Sequence, residues 1–163
     1  RLDEWVLDQR RAGALIVGVC GGYQMLGERI DDPEGVDSPE RSAPGLGLLP
    51  VATVMRRDKT TRAVRARTPA GIEFRAYEIH MGETSVPPDA APFATLEDGA
   101  PEGIRAAGCL GTYLHGAFED PAVLQEMLGC EPAARPDKER CYDLLADWFE
   151  RHADVKKFEE LYL

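Results

Sequence analysis

Ala14 to Val19 read "ALIVGV", an apolar run rich in β-branched side chains, and the run stops at a cysteine set among glycines, Gly18, Cys20 and Gly22. A short segment apolar on both faces is what a strand covered on both sides of a parallel sheet requires. The residues before it, "RLDEWVLDQRRAG", place Leu2, Trp5, Val6 and Gln9 on one helical stripe that Gly13 ends. After Cys20 the spacing of Tyr23, Leu26 and Ile30 predicts a second helix facing inward. Helix, strand, helix is the signature of an α/β layer.

The stretch "DDPEGVDSPERSAPG" then reads as a long polar loop. From Leu46 to about Val86 the pattern is strand-like, in "LGLLPVATVM", "RAVRAR" and "IEFRAYEIHM", and "PFATL" and "IRAAGCLGTYLHG" continue it. "EDPAVLQEML" has an Asp-Pro start and Gly129 as its stop, so it predicts a helix. A helical segment of about 138–163, opening in "DKERCYDLL", closes the chain with Cys141, Leu144, Leu145, Trp148 and Phe149 at helical spacing, which predicts a core position for Cys141. Cys109 and Cys130 are assigned to packing.

A length of 163 residues predicts one domain, 1–163, with a sizeable core. With 19 Lys and Arg against 29 Asp and Glu, the formal charge of −10 disfavours nucleic acid or an anionic membrane as partner. No apolar run approaches the roughly 20 residues that span a bilayer. Four cysteines without CxxC spacing predict reduced thiols in the cytoplasm and neither a disulfide framework nor a metal site. A doubly wound domain seldom opens on half a helix running into a central strand, so the chain is expected to be cut from something longer.

Gly18, Cys20 and Gly22 form G-x-C-x-G, the thiol counterpart of the nucleophile elbow, in which a strained turn presents a reactive atom above a sheet. A free thiol with a pKa of about 8.5 is only a few per cent thiolate at neutral pH. Reaching a value of about 6 takes roughly 3 kcal/mol, of which a helix terminus supplies about 1 to 2. A nucleophilic cysteine therefore needs a base. Of the three histidines, His152 lies in a charged helical segment and reads as solvated. His80 in "AYEIHMG" and His115 in "GTYLHG" each follow a strand-like run and precede a glycine, and by pattern alone either fits.

"VGVCGGYQMLG", "GLGLLP", "KTTRAV", "YEIHMGET" and "GTYLHGAFEDP" occur in the order and style of a known family. From about Ala14 to Pro121 the chain resembles the glutamine amidotransferase domain of the cobyric acid synthase family, of the cobalamin pathway. "YEIHMG" with the preceding "KTT" is more similar to that family than to its sister, the cobyrinic acid a,c-diamide synthases. The resemblance implies an α/β fold of the class I glutamine amidotransferase type, a flavodoxin-like mixed sheet flanked by helices, lacking its first strands. It implies Cys20 as the nucleophile toward the glutamine side-chain amide and His115 as its base and acid. It implies the Gly21 N–H as one oxyanion donor and Gln24 as a holder of substrate glutamine, with Gly22, Glu78 and His80 lining the same site. For Glu78 and His80 a structural hydrogen-bonding role is an equal alternative.

Two positions depart from the wider amidotransferase pattern. Where most carry H-x-E, with the glutamate orienting the histidine, Ala117 stands here. The cobalamin branch characteristically lacks that glutamate, so a Cys–His dyad is expected, with Glu78 or Glu119 as candidates to orient the ring. The family's upstream loop, which supplies a second oxyanion donor, and its synthetase domain lie outside this chain. The resemblance implies no cofactor in this domain, ATP and Mg²⁺ in the synthetase domain, and a corrinoid acceptor there. The alternatives are the amidotransferase domain of the diamide synthase or another ligase, and a catalytically silent docking domain. The basic run "RRDKTTRAVRAR" reads as an exposed strand face, with a docking surface for the synthetase or the corrinoid as the alternative.

Overall fold

The computed structural model describes residues 1–131 and 138–162; Leu163, the last residue of the segment read as C-terminal helix, lies outside the described residues. Contacts divide the chain into two compact units, Arg1–Cys130 and Glu131–Leu163.

The first unit opens with α1 (Leu2–Arg11), β1 (Ile16–Val19) and α2 (Gly21–Leu26). The strands β2 (Arg29–Asp31), β3 (Ser42–Pro44), β4 (Ala52–Arg67), β5 (Glu73–Ser85), β6 (Ala94–Leu96), β7 (Pro101–Glu102), β8 (Ile104–Ala106) and β9 (Cys109–Thr112) follow. A 3-10 turn (Ala117–Glu119) and α3 (Pro121–Leu128) complete it. One sheet has the order β1-β9-β8, with β1 and β9 parallel; the other runs β3-β2-β4-β6-β7, with β5 paired to β4. The result is a mixed α/β architecture with sheets flanked by helices. Val64, Phe74, Phe93, Leu96, Leu110, Leu114 and Val123 form one buried cluster. Tyr23, Leu26, Leu49, Val51, Ile104 and Tyr113 form a second, between α2 and the β1-β9-β8 sheet.

Local chemistry explains the boundaries. Asp120 caps α3 by accepting the N–H groups of Ala122 (2.9 Å) and Val123 (3.4 Å), Pro121 opens the helix, and Gly129 closes it at φ 66°. β4 and β5 pair antiparallel from Ala52↔Ser85 to Arg67↔Glu73, with a register shift between Met55 and Thr60.

Three expectations are corrected. The helix after Cys20 does not reach Ile30: α2 ends at Gly27, where a Cβ would lie 2.7 Å from the Val51 carbonyl oxygen, and Ile30 belongs to β2. The polar loop contains β3, which pairs antiparallel with β2, whereas the "LGLLP" stretch is not a strand. Cys109 is buried as expected, but Cys130 and Cys141 are exposed.

The second unit holds α4 (Lys138–His152) and α5 (Val155–Tyr162), in contact through Phe149 and Phe158, whose ring centroids are 5.2 Å apart. His152 is exposed and its Nδ1 donates to the Trp148 carbonyl at 2.8 Å. Among the described residues no helix is long and apolar enough to cross a membrane.

Candidate active site

Two adjacent parallel strands end side by side. β1 pairs with β9 through Val19↔Thr112, Cys20 follows β1, and His115 lies just beyond the end of β9. The carboxyl edge of neighbouring parallel strands is where α/β sheets place ligands. The Cys20 N–H donates to the Thr112 carbonyl at 2.9 Å, tying the two strand ends together.

Cys20 has φ 54° and ψ −114°, a conformation that side chains other than glycine rarely adopt. Among the described non-glycine residues only Cys20 and Ala107 have positive φ. Gly18 makes the corner possible: a Cβ there would lie 2.6 Å from the Gly22 carbonyl oxygen and 2.7 Å from the Tyr23 nitrogen, so only a glycine lets α2 fold back onto β1. Around Gly21 and Gly22 a Cβ would meet nothing within 4 Å, which leaves open space beside the thiol. Gln24 N–H closes on the Cys20 carbonyl at 3.1 Å. Helix geometry therefore leaves the N–H groups of Gly21, Gly22 and Tyr23 without a partner inside α2.

β5 supplies the floor. The Cys20 thiol donates to the Ile79 carbonyl at 3.4 Å. Two residues back along the same strand, Tyr77 exchanges backbone hydrogen bonds with His115, at 2.9 and 3.1 Å, and their rings stack at 5.0 Å and 9°. Residues two apart on a strand share a face, and Tyr77 and Ile79 are both partly exposed, at 46% and 38%. Cys20 and His115 thus meet neighbouring positions of one strand. His115 Nε2 is buried and has no hydrogen-bond partner among the described residues. Ala117, at the position where H-x-E proteins carry their glutamate, is buried in the 3-10 turn.

The other expected residues lie beneath this pair. Gln24 is 9% exposed, and its Nε2 donates to the Tyr113 hydroxyl at 3.2 Å. That hydroxyl also bonds Thr84 Oγ1 at 2.6 Å, and Thr84 bonds Thr53 at 2.7 Å. Burial pushes the Tyr113 phenol above its ordinary pKa, against the lowering effect of these hydrogen bonds, so it stays protonated. His80 stacks on Tyr113 at 3.8 Å between centroids, and its Nδ1 donates to the Gly82 carbonyl at 2.8 Å. Glu78 is 4% exposed and holds Arg62 in an ion pair. Gln24, His80 and Glu78 each therefore have a protein partner that fixes the side chain.

Sequence reasoning missed Tyr77, Ile79, Tyr113 and Glu102. The alternation in "AYEIHMG" carried a signal for the first two, whose outward face is the one the site uses. A single acid in the turn-like "APEGI" gave none for Glu102.

A strained cysteine at a strand-to-helix corner and a histidine just beyond the end of the adjacent parallel strand are thus both bonded to β5, at Ile79 and Tyr77, on an α/β fold. Residues 1–123 match the CobB/CobQ-like glutamine amidotransferase domain, and the chain belongs to that family. It is 50% identical over 128 residues to a cobyric acid synthase of Jannaschia sp. (strain CCS1), covering 75% of this chain and 26% of that protein. It is 42% identical to the cobyric acid synthases of Methylobacterium nodulans, over 93% of this chain, and Cereibacter sphaeroides, over 95%, with 34% of each relative covered. The chain thus spans about a quarter to a third of these relatives. A crystal structure of a glutamine amidotransferase shares the fold, with a TM-score of 0.58 and 21% identity over 78% of this chain and 66% of that one.

Proposed function

We propose that this domain is the glutaminase half of a cobyric acid synthase, hydrolysing glutamine to supply ammonia for ATP-dependent amidation of corrinoid side-chain carboxylates. The observation that carries the reading is the Cys20–His115 pair, built from adjacent strand ends onto one stretch of β5. The names of the relatives favour cobyric acid synthase over the diamide synthase, which the family description alone does not separate.

In the proposed reaction the Cys20 thiol passes its proton to His115 and the thiolate attacks the side-chain carboxamide carbon of glutamine. The developing oxyanion meets the Gly21 N–H at the start of α2. His115 returns the proton to the departing nitrogen, the C–N bond breaks, and ammonia leaves a glutamyl thioester. Water, deprotonated by His115, attacks the thioester; the C–S bond breaks, glutamate leaves and the thiol is restored. Gly22, with open space beside it, forms the wall nearest the substrate, and Gln24, Glu78 and His80 hold the floor on which it rests.

The second oxyanion donor, ATP, Mg²⁺ and the corrinoid acceptor belong to the part of the protein outside this chain. β1 pairs only with β9 among the described strands, and Leu15 and Val17, two apart and so on one face, are 43% and 40% exposed. The four free cysteines support a working place in the reducing cytoplasm.

In the intact protein, a diazo ketone analogue of glutamine is expected to label Cys20. Cys20→Ser should lower glutamine-dependent amidation by about a thousandfold or more while sparing amidation fed by free ammonia. Unchanged glutamine-dependent amidation would instead identify a silent docking domain, and an acceptor other than the corrinoid a,c-diamide would point to the sister enzyme or another ligase.

A further inference from the structure

Glu102 ends β7 with a side chain that is almost completely buried, at 7% exposure. One carboxylate oxygen accepts the Tyr113 N–H at 2.7 Å and the other accepts the Thr112 hydroxyl at 2.7 Å. The Thr112 hydroxyl oxygen in turn accepts the Leu114 N–H at 3.0 Å. A single carboxyl group therefore holds Thr112 and Tyr113 directly and Leu114 through the Thr112 hydroxyl. The first of them, Thr112, holds the Cys20 N–H on its carbonyl, and the last, Leu114, precedes His115.

We infer that Glu102 is a positioning residue for the Cys20–His115 pair, setting the spacing between nucleophile and base by fixing the 112–114 segment that joins their anchors.

The physical argument starts from the sheet. β8 and β9 pair antiparallel through Ile104↔Gly111, and the same register carried two residues further sets Glu102 opposite Tyr113. At that point β9 leaves β8, because His115 must reach β5 and exchange hydrogen bonds with Tyr77. The departing backbone leaves donors that the ladder no longer satisfies on the buried residues Tyr113 and Leu114. A buried donor without a partner is costly, and the carboxyl of Glu102 replaces the missing ladder bonds. Gly103 permits the approach: a Cβ there would lie 2.4 Å from the Gly111 carbonyl oxygen. The groups facing the carboxyl electrostatically are Glu78 of β5, itself paired with Arg62 of β4, and Tyr23 of α2. The hydrogen bonds of the Glu102 carboxyl go to Thr112 and Tyr113, so its influence on the reaction passes through backbone geometry. The inference rests on reading Cys20 and His115 as the reacting pair.

The test uses the intact protein carrying this domain. Glu102→Leu leaves the Tyr113 N–H and Thr112 hydroxyl without acceptors and is expected to lower kcat for glutamine hydrolysis by about ten- to a hundredfold, with KM within about threefold of wild type. Glu102→Gln keeps an acceptor for Tyr113 and a donor for Thr112, and is expected to recover kcat to within about threefold. Equal kcat in Glu102→Leu and wild type, or a loss in Glu102→Gln as large as in Glu102→Leu, would overturn the inference. If Glu102→Leu does not fold, Thr112→Val, which removes the hydroxyl link at constant shape, carries the same expectation of reduced kcat at steady KM, and an unchanged kcat refutes it. Alkylation of Cys20 by iodoacetamide separates this inference from the proposed function. A slower rate in Glu102→Leu upholds the positioning role even if glutamine is not the substrate. An unchanged rate alongside full glutaminase activity removes the positioning role and leaves the glutaminase reading intact.

Discussion

Cys20 holds φ 54° and ψ −114°, and a residue with a side chain in that region is strained by about 1 to 3 kcal/mol. Glycine relieves most of that strain while giving up the thiol. Cys20→Gly is therefore expected to raise stability by about 1 kcal/mol in urea denaturation while abolishing glutamine hydrolysis, so that activity and stability change in opposite directions. Glu102 carries a second residue-level prediction. Burial pushes its carboxyl up from 4.5 to about 7, with Glu78 adding to the push and the bonds from Thr112 and Tyr113 opposing it. Between those values the folded state holds the proton more tightly than the unfolded chain, so the stabilisation is complete below about 4.5 and is lost as pH rises through about 7. The loss amounts to about 3 kcal/mol. Glu102→Gln has no such ionisation, and the stability difference between wild type and variant is expected to shift in the variant's favour from pH 5 to pH 8; a constant difference would refute this.

Elements owe their ends to close backbone contacts as much as to capping. A Cβ at Gly18 would sit 2.6 Å from the Gly22 carbonyl oxygen, so Gly18→Ala is expected to cost about 2 to 3 kcal/mol and to depress activity by displacing α2 from β1. Thermal unfolding and glutaminase assays on the same preparation check both. On the β4–β5 hairpin, four of the six cations in "RRDKTTRAVRAR" are in ion pairs: Arg56 with Glu83, Arg57 with Glu34, Arg62 with Glu78 and Arg67 with Glu73. That pairing favours the exposed-face reading of the run. Arg65 stands directly opposite Arg75, and both line a cleft of about 690 Å³. Like charges in register oppose pairing, so Arg65→Glu is expected to stabilise the hairpin by about 0.5 kcal/mol, measured by urea denaturation at low salt. The helix read from Tyr23, Leu26 and Ile30 stops at Gly27 because a backbone contact with Val51, far along the chain, ends it. A 3.6-residue spacing cannot register such a contact.

At the scale of the whole chain, the four thiols report on both units. Cys109 is 3% exposed and burial raises its pKa, whereas Cys130 and Cys141 are exposed. In the native protein a disulfide-exchange reagent is expected to titrate the exposed Cys130 and Cys141 at once and Cys109 only after unfolding; fast reaction at Cys109 would contradict the packing of β9. The amino-acid order by itself determined the parallel β1 strand, the cysteine corner, the α3 caps and the two histidine candidates, because each depends on residues within a few positions of one another. It also carried the family resemblance, through segments whose order along the chain is a one-dimensional property. Pattern alone left His80 and His115 equivalent and the resemblance favoured His115; only the tertiary structure shows how their surroundings differ, His115 pairing with Tyr77 of β5 and His80 stacking on Tyr113. It also exposed the role of Glu102, whose partners lie across a sheet register rather than along the sequence. Side chains that satisfy backbone donors at the point where a strand leaves its sheet have no local signature, because the need for them arises only once the strands are paired.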